Sequence, residues 1–152
     1  MPRQDGDIRT ATGTHTWLVL WKAFNAVRDY ATRDIASLGL TLTDFGILEA
    51  LLHKGPLPVN DLGRKVSLTS GSITTAVDRL QARGLVERRN NDEDRRARTV
   101  HLTSTGRRDI QAAFRKHAAA MDQLGSVLTA EEREELVRLL KVLGQAALRS
   151  AT

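Results

Sequence analysis

The chain has 152 residues, with 23 Lys+Arg against 18 Asp+Glu and no Cys. That length fits one domain with a sizeable buried core, and the 41% apolar share is too high for a disordered chain. The absence of Cys excludes disulfides, thiolate catalysis, cysteine redox sensing and zinc–thiolate sites, and no apolar run of about 18 residues offers a membrane span.

Residues 1–13 are polar and read as a frayed arm. No apolar run follows their charges, so they do not make a secretory signal, and the expected location is the cytoplasm. From Thr16 onward, Trp17, Leu20, Trp21, Phe24, Val27 and Ala31 recur at spacings of three and four, which marks one face of a helix ended by Gly39. Thr43 is the expected cap of a second helix, with Phe45, Leu48, Leu51 and Leu52 inward and Gly55 past its end. Pro56-Leu57-Pro58 forbids helix and gives a short extended link. A third, short helix turns Val59, Leu62 and Val66 inward. After the turn Ser67-Leu68-Thr69, Thr69 caps a fourth helix that carries Ile73, Val77 and Leu80 and stops at Gly84.

Leu85–Arg89 and Arg98–Leu102 read as two short strands. The polar run Asn90 to Ala97 between them is a hairpin tip, because Asn and Asp tolerate tight turns. Thr103 caps a long helix running to about Leu124. Thr129 and Glu132 then form a capping box before a last helix with Leu136, Leu139, Leu140, Leu143 and Ala147.

Charge is uneven along this order. Residues 61–116 hold 13 Lys+Arg and 7 acids, and the rest of the chain holds 10 and 11. A basic field confined to the middle third suggests a polyanion as partner. Two short helices across a tight turn, followed by a hairpin, form a winged helix-turn-helix pattern. In its second helix the stripe Ile73, Val77, Leu80 must face the core. Ser70, Gly71, Ser72, Thr74, Thr75, Asp78 and Arg79 are left on the opposite face. Small polar residues at a helix N-terminus suit phosphates and base edges in a major groove. Gly71 costs the helix up to about 1 kcal/mol against Ala, which close approach to DNA would explain. Arg95, Arg96 and Arg98 project from the hairpin, and Arg suits narrow minor grooves. Asp94 is placed to aim Arg96 through a bidentate pair.

These residues resemble the MarR family of bacterial transcriptional regulators. The likeness runs from Leu42-Thr43 through Gly106. It rests on Val77-Asp78-Arg79-Leu80, Arg83-Gly84-Leu85-Val86, Asp92-Glu93-Asp94-Arg95-Arg96 and Leu102-Thr103-Ser104-Thr105-Gly106. The tract Ser70 to Thr74 is similar to the branch that responds to quinones and phenols, though without that branch's sensing Cys.

The resemblance implies a mainly α (α+β) fold: a winged helix-turn-helix lobe over 42–103 with a two-stranded wing, and dimerisation helices over 14–38 and 104–150. It implies a homodimer on a pseudo-palindromic duplex with half-sites about 10 bp apart. It also implies a small aromatic effector between dimer helices and lobe, for which Trp17, Trp21, Phe45 and His53 are candidate liners. At helical spacing Trp17, Trp21 and Phe45 more often belong to the core, and His53, near the end of its helix, can instead satisfy the last carbonyls. The expected function is a repressor released by a phenolic ligand, and the alternative is an effector-independent DNA-binding module. No Gly-x-Ser-x-Gly element or phosphate-cradling loop points to an enzyme. His15, His101 and His117 lack metal-ligand spacing, so neither metal nor cofactor is expected.

Overall fold

The structure, a computed structural model, describes residues 12–90 and 98–150. Helix α1 (Gly13–Ser37) opens at Thr12, whose hydroxyl accepts the His15 N–H at 3.1 Å. Helix α2 (Leu42–Lys54) is capped by Thr41, not by the expected Thr43: the Thr41 hydroxyl accepts the Asp44 N–H at 3.0 Å. The two threonines flank Leu42, and the outer one has the extended backbone that a cap requires. The Pro-flanked link contains a two-residue strand β1 (Leu57–Pro58), and α3 (Val59–Lys65) follows directly.

Helix α4 (Ser70–Ala82) starts on the expected Thr69 cap, whose hydroxyl accepts the Ser72 N–H at 3.3 Å. Strands β2 (Val86–Asn90) and β3 (Arg98–Leu102) pair antiparallel, with Val86 opposite Leu102 and Arg88 opposite Val100. The wing has a third member, since β1 pairs with β3 through Leu57 and Val100. Helix α5 (Ser104–Gly125) begins at the Thr103 cap. Before α6 (Ala130–Ser150) the expected capping box is complete: the Thr129 N–H donates to Glu132 Oε2 at 2.8 Å, and the Glu132 N–H donates to Thr129 Oγ1 at 3.2 Å.

One hydrophobic core joins α2, α3, α4, the sheet and the first half of α5, with Leu48, Leu51, Leu62, Val77, Leu80, Val100 and Ile110 fully enclosed. Ile35 is the one buried residue of α1, and α6 has none. Trp17, Trp21 and Phe24 on α1 stand in the open, as do Leu139 and Leu143 on α6. A helical apolar stripe predicts a buried face, but within this chain these two helices leave theirs uncovered. Among the described residues, no single helix is long and apolar enough to cross a membrane.

Candidate nucleic-acid interface

The α3–α4 corner is tight. Where Gly63 stands, a Cβ would lie 3.1 Å from Ile73 Cγ2 and 3.3 Å from the Leu68 carbonyl oxygen, so a glycine lets the helices cross this closely. Ser67 takes up the turn at φ +57, a left-handed conformation uncommon for a side-chain-bearing residue. With Ile73, Ala76, Val77 and Leu80 buried, α4 turns Ser70, Ser72, Thr74, Thr75 and Arg79 outward as expected. The Thr74 and Thr75 hydroxyls donate back to the Ser70 and Gly71 carbonyls at 2.9 and 3.1 Å. This fixes their rotamers and leaves their oxygens free to accept. A Cβ at Gly71 would meet nothing within 4 Å.

Arg79 is not a free cation on this face. Its Nη2 donates to Asp44 Oδ1 at 2.5 Å, and Arg83 Nη1 lies 3.6 Å from Asp44 Oδ2. Asp44, 1% exposed, is the buried charged residue among those described. Its hydrogen bond holds the Arg79 pKa above the usual arginine value, against a smaller lowering by burial and with a further Coulombic contribution from the same carboxylate. The sequence signal for Asp44 was its position three residues after Thr41, in the first turn of α2. Its arginine partners are 35 and 39 positions away, beyond any local pattern.

The wing is fastened at two points that the sequence reading missed. Arg88 shares the inward face of the hairpin with Val86 and Val100. Its side chain is 16% exposed, and it donates to Asp78 Oδ1 at 2.6 Å and to Gln81 Oε1 at 2.8 Å on α4. Strict alternation from Val86 was the available signal. At the other end of the hairpin, the Thr103 hydroxyl donates to the Gly84 carbonyl at 2.6 Å and accepts the Gly106 N–H at 2.9 Å. A Cβ at Gly106 would fall 1.9 Å from the Leu85 carbonyl oxygen, so a glycine is required there.

Arg98 is exposed at the start of β3. Asp94, Arg95 and Arg96, and with them the expected Asp94–Arg96 pair, lie outside the described residues. On the outer face of the wing, His101 Nε2 is 2.9 Å from the Thr99 hydroxyl. Burial, and then the nearby Arg89 charge, push its pKa below the usual imidazole value, opposed by Glu87.

The candidate effector residues divide. Phe45 is in the core, its ring 6.5 Å from Phe114 and 5.0 Å from His117. His53 also meets Phe114, at 4.9 Å, and its Nδ1 lies 3.1 Å from the Glu49 carbonyl. Phe45 and His53 therefore flank one aromatic ring. Trp17 and Trp21, 60% and 52% exposed, belong neither to that cluster nor to the core. His53 also borders an open cleft of about 500 Å³ between α2 and the end of α3, with Glu49, Lys54 and Lys65 at its rim. Among the described residues, no three His, Cys, Asp or Glu side chains converge on a metal position.

Comparison with known proteins gives the same picture. A family model described as MarR family matches residues 38–97. The chain is 38% identical to the HTH-type transcriptional regulator MhqR of Bacillus subtilis (strain 168), across 84% of this chain and 88% of that protein. A solved structure of a probable transcriptional regulator from Pseudomonas aeruginosa is 30% identical with a TM-score of 0.71, covering 82% of this chain and 93% of that one. NadR, solved in complex with 4-hydroxyphenylacetate, shares the fold with a TM-score of 0.71 at 24% identity, over 97% of this chain and 98% of that one.

Proposed function

The chain belongs to the MarR family of transcriptional regulators, and from that premise we propose that it is a homodimeric repressor, released from a pseudo-palindromic operator by a small aromatic or phenolic ligand. One observation carries the DNA geometry: α4 presents small hydroxyl side chains around Gly71, where nothing within 4 Å calls for a missing Cβ. A glycine there costs the helix up to about 1 kcal/mol. A groove floor brought against the backbone supplies the reason for it.

In this reading Ser70, Ser72, Thr74 and Thr75 meet base edges and phosphates in the major groove. Arg98, with Arg95 and Arg96 aimed by Asp94, takes the neighbouring minor groove. Residues 42–103 are the DNA-binding lobe, and 14–38 with 104–150 are the arms that pair two copies. The uncovered apolar faces of α1 and α6 support that pairing. A dimer seated over two half-sites shuts other proteins out of that stretch of duplex, the simplest route to repression. An aromatic effector lodged between arm and lobe, against the Phe45 and His53 cluster, shifts the dimer toward a lobe spacing out of groove register. The 4-hydroxyphenylacetate of NadR is a ligand of this chemistry.

The test is selection of bound duplexes from a random pool, repeated with phenolic acids and quinones. The expected result is an inverted repeat with half-site centres about 10 bp apart, affinity that falls steeply with salt, and release by at least one compound. Failure to retain any duplex at low ionic strength would sink the DNA reading. Retention untouched by every compound would make the protein an effector-independent DNA-binding module.

A further inference from the structure

We propose that Asp44 is a positioning residue for DNA recognition: it sets the seat of α4 through Arg79 and Arg83, and it withholds the Arg79 charge from the phosphate backbone. The proposal rests on the DNA-binding reading above.

A carboxylate this deeply buried is costly unless paired and hydrogen-bonded. The side chain of Asp44 is 2% exposed, and its two oxygens are divided between two arginines. Those arginines stand four residues apart, on one side of α4 and a turn from each other. Arg83 Nη2 also donates to the Gly39 carbonyl at 3.1 Å, which ties the end of α1 into the same knot. Among the described residues, these are the ion pairs that join α2 to α4 and to its C-cap, Arg83. With the buried stripe Ile73, Ala76, Val77 and Leu80 they hold the rotation of α4 about its axis, and that rotation decides whether Ser70 to Thr75 point at a groove or past it.

The second half of the proposal concerns charge. The Arg79 side chain is 44% exposed, and it borders the same surface hollow as Ser72 and Thr75. A free guanidinium there would be a phosphate contact, adding affinity for any duplex regardless of sequence. Held by Asp44, it shares one carboxylate with Arg83, so its charge is partly offset and its donors are turned away from an incoming phosphate. The clamp therefore lowers sequence-independent attraction while it steadies the face that reads sequence.

The experiment compares wild type, Asp44→Asn, Arg79→Gln and the double variant. Affinity is measured for the selected operator and for a scrambled duplex of equal length, across a salt series. For Asp44→Asn, the operator-to-scrambled preference falls at least tenfold, the scrambled duplex binds more tightly, and its log–log salt slope steepens by about 0.9 per subunit, the contribution of one added phosphate contact. Arg79→Gln also loses preference but keeps the wild-type slope, and adding it to Asp44→Asn abolishes the steepening. A flatter slope for Arg79→Gln alone would overturn the proposal, because Arg79 would then already contact a phosphate. Equal weakening on both duplexes with an unchanged slope for Asp44→Asn would overturn it too, leaving the pair a plain structural tie. Should Asp44→Asn fail to fold, the Arg79→Gln slope decides by itself, since Arg83 still faces Asp44. A wild type that ignores every duplex fails at the earlier step and is told apart on that ground.

Discussion

Leu80 and Leu139 are both leucines on amphipathic helices, yet Leu80 has no exposed surface and Leu139 is 49% exposed. The contrast runs through the whole chain. From Ile35 to Ala113 the apolar residues of α2, α3, α4, the sheet and early α5 cover one another. On α1 and α6 the same kind of stripe faces outward, and those two helices share an apolar groove lined by Val19, Leu20, Leu136, Leu139, Leu140 and Leu143. Periodicity thus announces a face that needs covering and is silent on whether the cover lies in the same chain. The lobe covers its own apolar residues, and α1 and α6 leave much of theirs exposed within this chain.

Four measurements break or sharpen that contrast. The largest effect belongs to the arms. Leu139→Glu with Leu143→Glu should turn a dimer into monomers by sedimentation velocity and weaken operator binding at least a hundredfold, because two linked half-site contacts become independent. Unaltered sedimentation would mean that the arms do not pair copies. Next, Leu80→Ala in the lobe should cost about 2–5 kcal/mol of folding stability in urea titration, from lost burial and the cavity left behind. A loss near zero would contradict a self-contained core. Third, Arg96→Ala should weaken operator binding by about 1–3 kcal/mol while the dimer and its melting temperature stay as they were. An unchanged affinity would remove the hairpin tip from the interface.

The smallest effect is acid sensitivity at the wing. Folding lowers the His101 pKa, so as pH falls through about 6.5 the unfolded chain binds a proton before the folded one does. His101 therefore leaves stability intact above that pH and erodes it below, down through the lowered folded-state pKa. His101→Gln should flatten the melting temperature between about pH 5 and 7. A slope identical to wild type would show that other groups carry it.

Much of the fold was legible because its rules are local. Thr69, Thr103 and Thr129 cap helices where a small hydroxyl precedes an apolar stripe, and Gly84 stops α4 at φ +71. Thr43 was misread because Thr41 offers the same chemistry two residues earlier, and only the backbone decides between them. Strand β1 went unseen because two residues with a proline carry no alternation, and its pairing with β3 spans more than forty positions. The outward face of α4 followed from spacing. The Asp44–Arg79–Arg83 knot and the Arg88 link to Asp78 did not, since each joins elements that folding alone brings together. Trp17 and Trp21 are the reverse case: their type predicts burial, and the chain leaves both exposed.

The glycine that seats α5 against the Leu85 carbonyl makes that helix a lever. Its 22 residues form a rod about 33 Å long. One end is welded to the root of the wing, and the other reaches the arm, where the Tyr30 hydroxyl of α1 donates to the Ala120 carbonyl at 3.2 Å. A tilt of roughly 5° about the far end sweeps the welded end through about 3 Å, close to the rise of one base-pair step. Because Ile110 and Ala113 of α5 sit in the core, the lobe moves with the rod, and on the DNA-binding reading proposed above so small a tilt would take it out of groove register with its core unchanged.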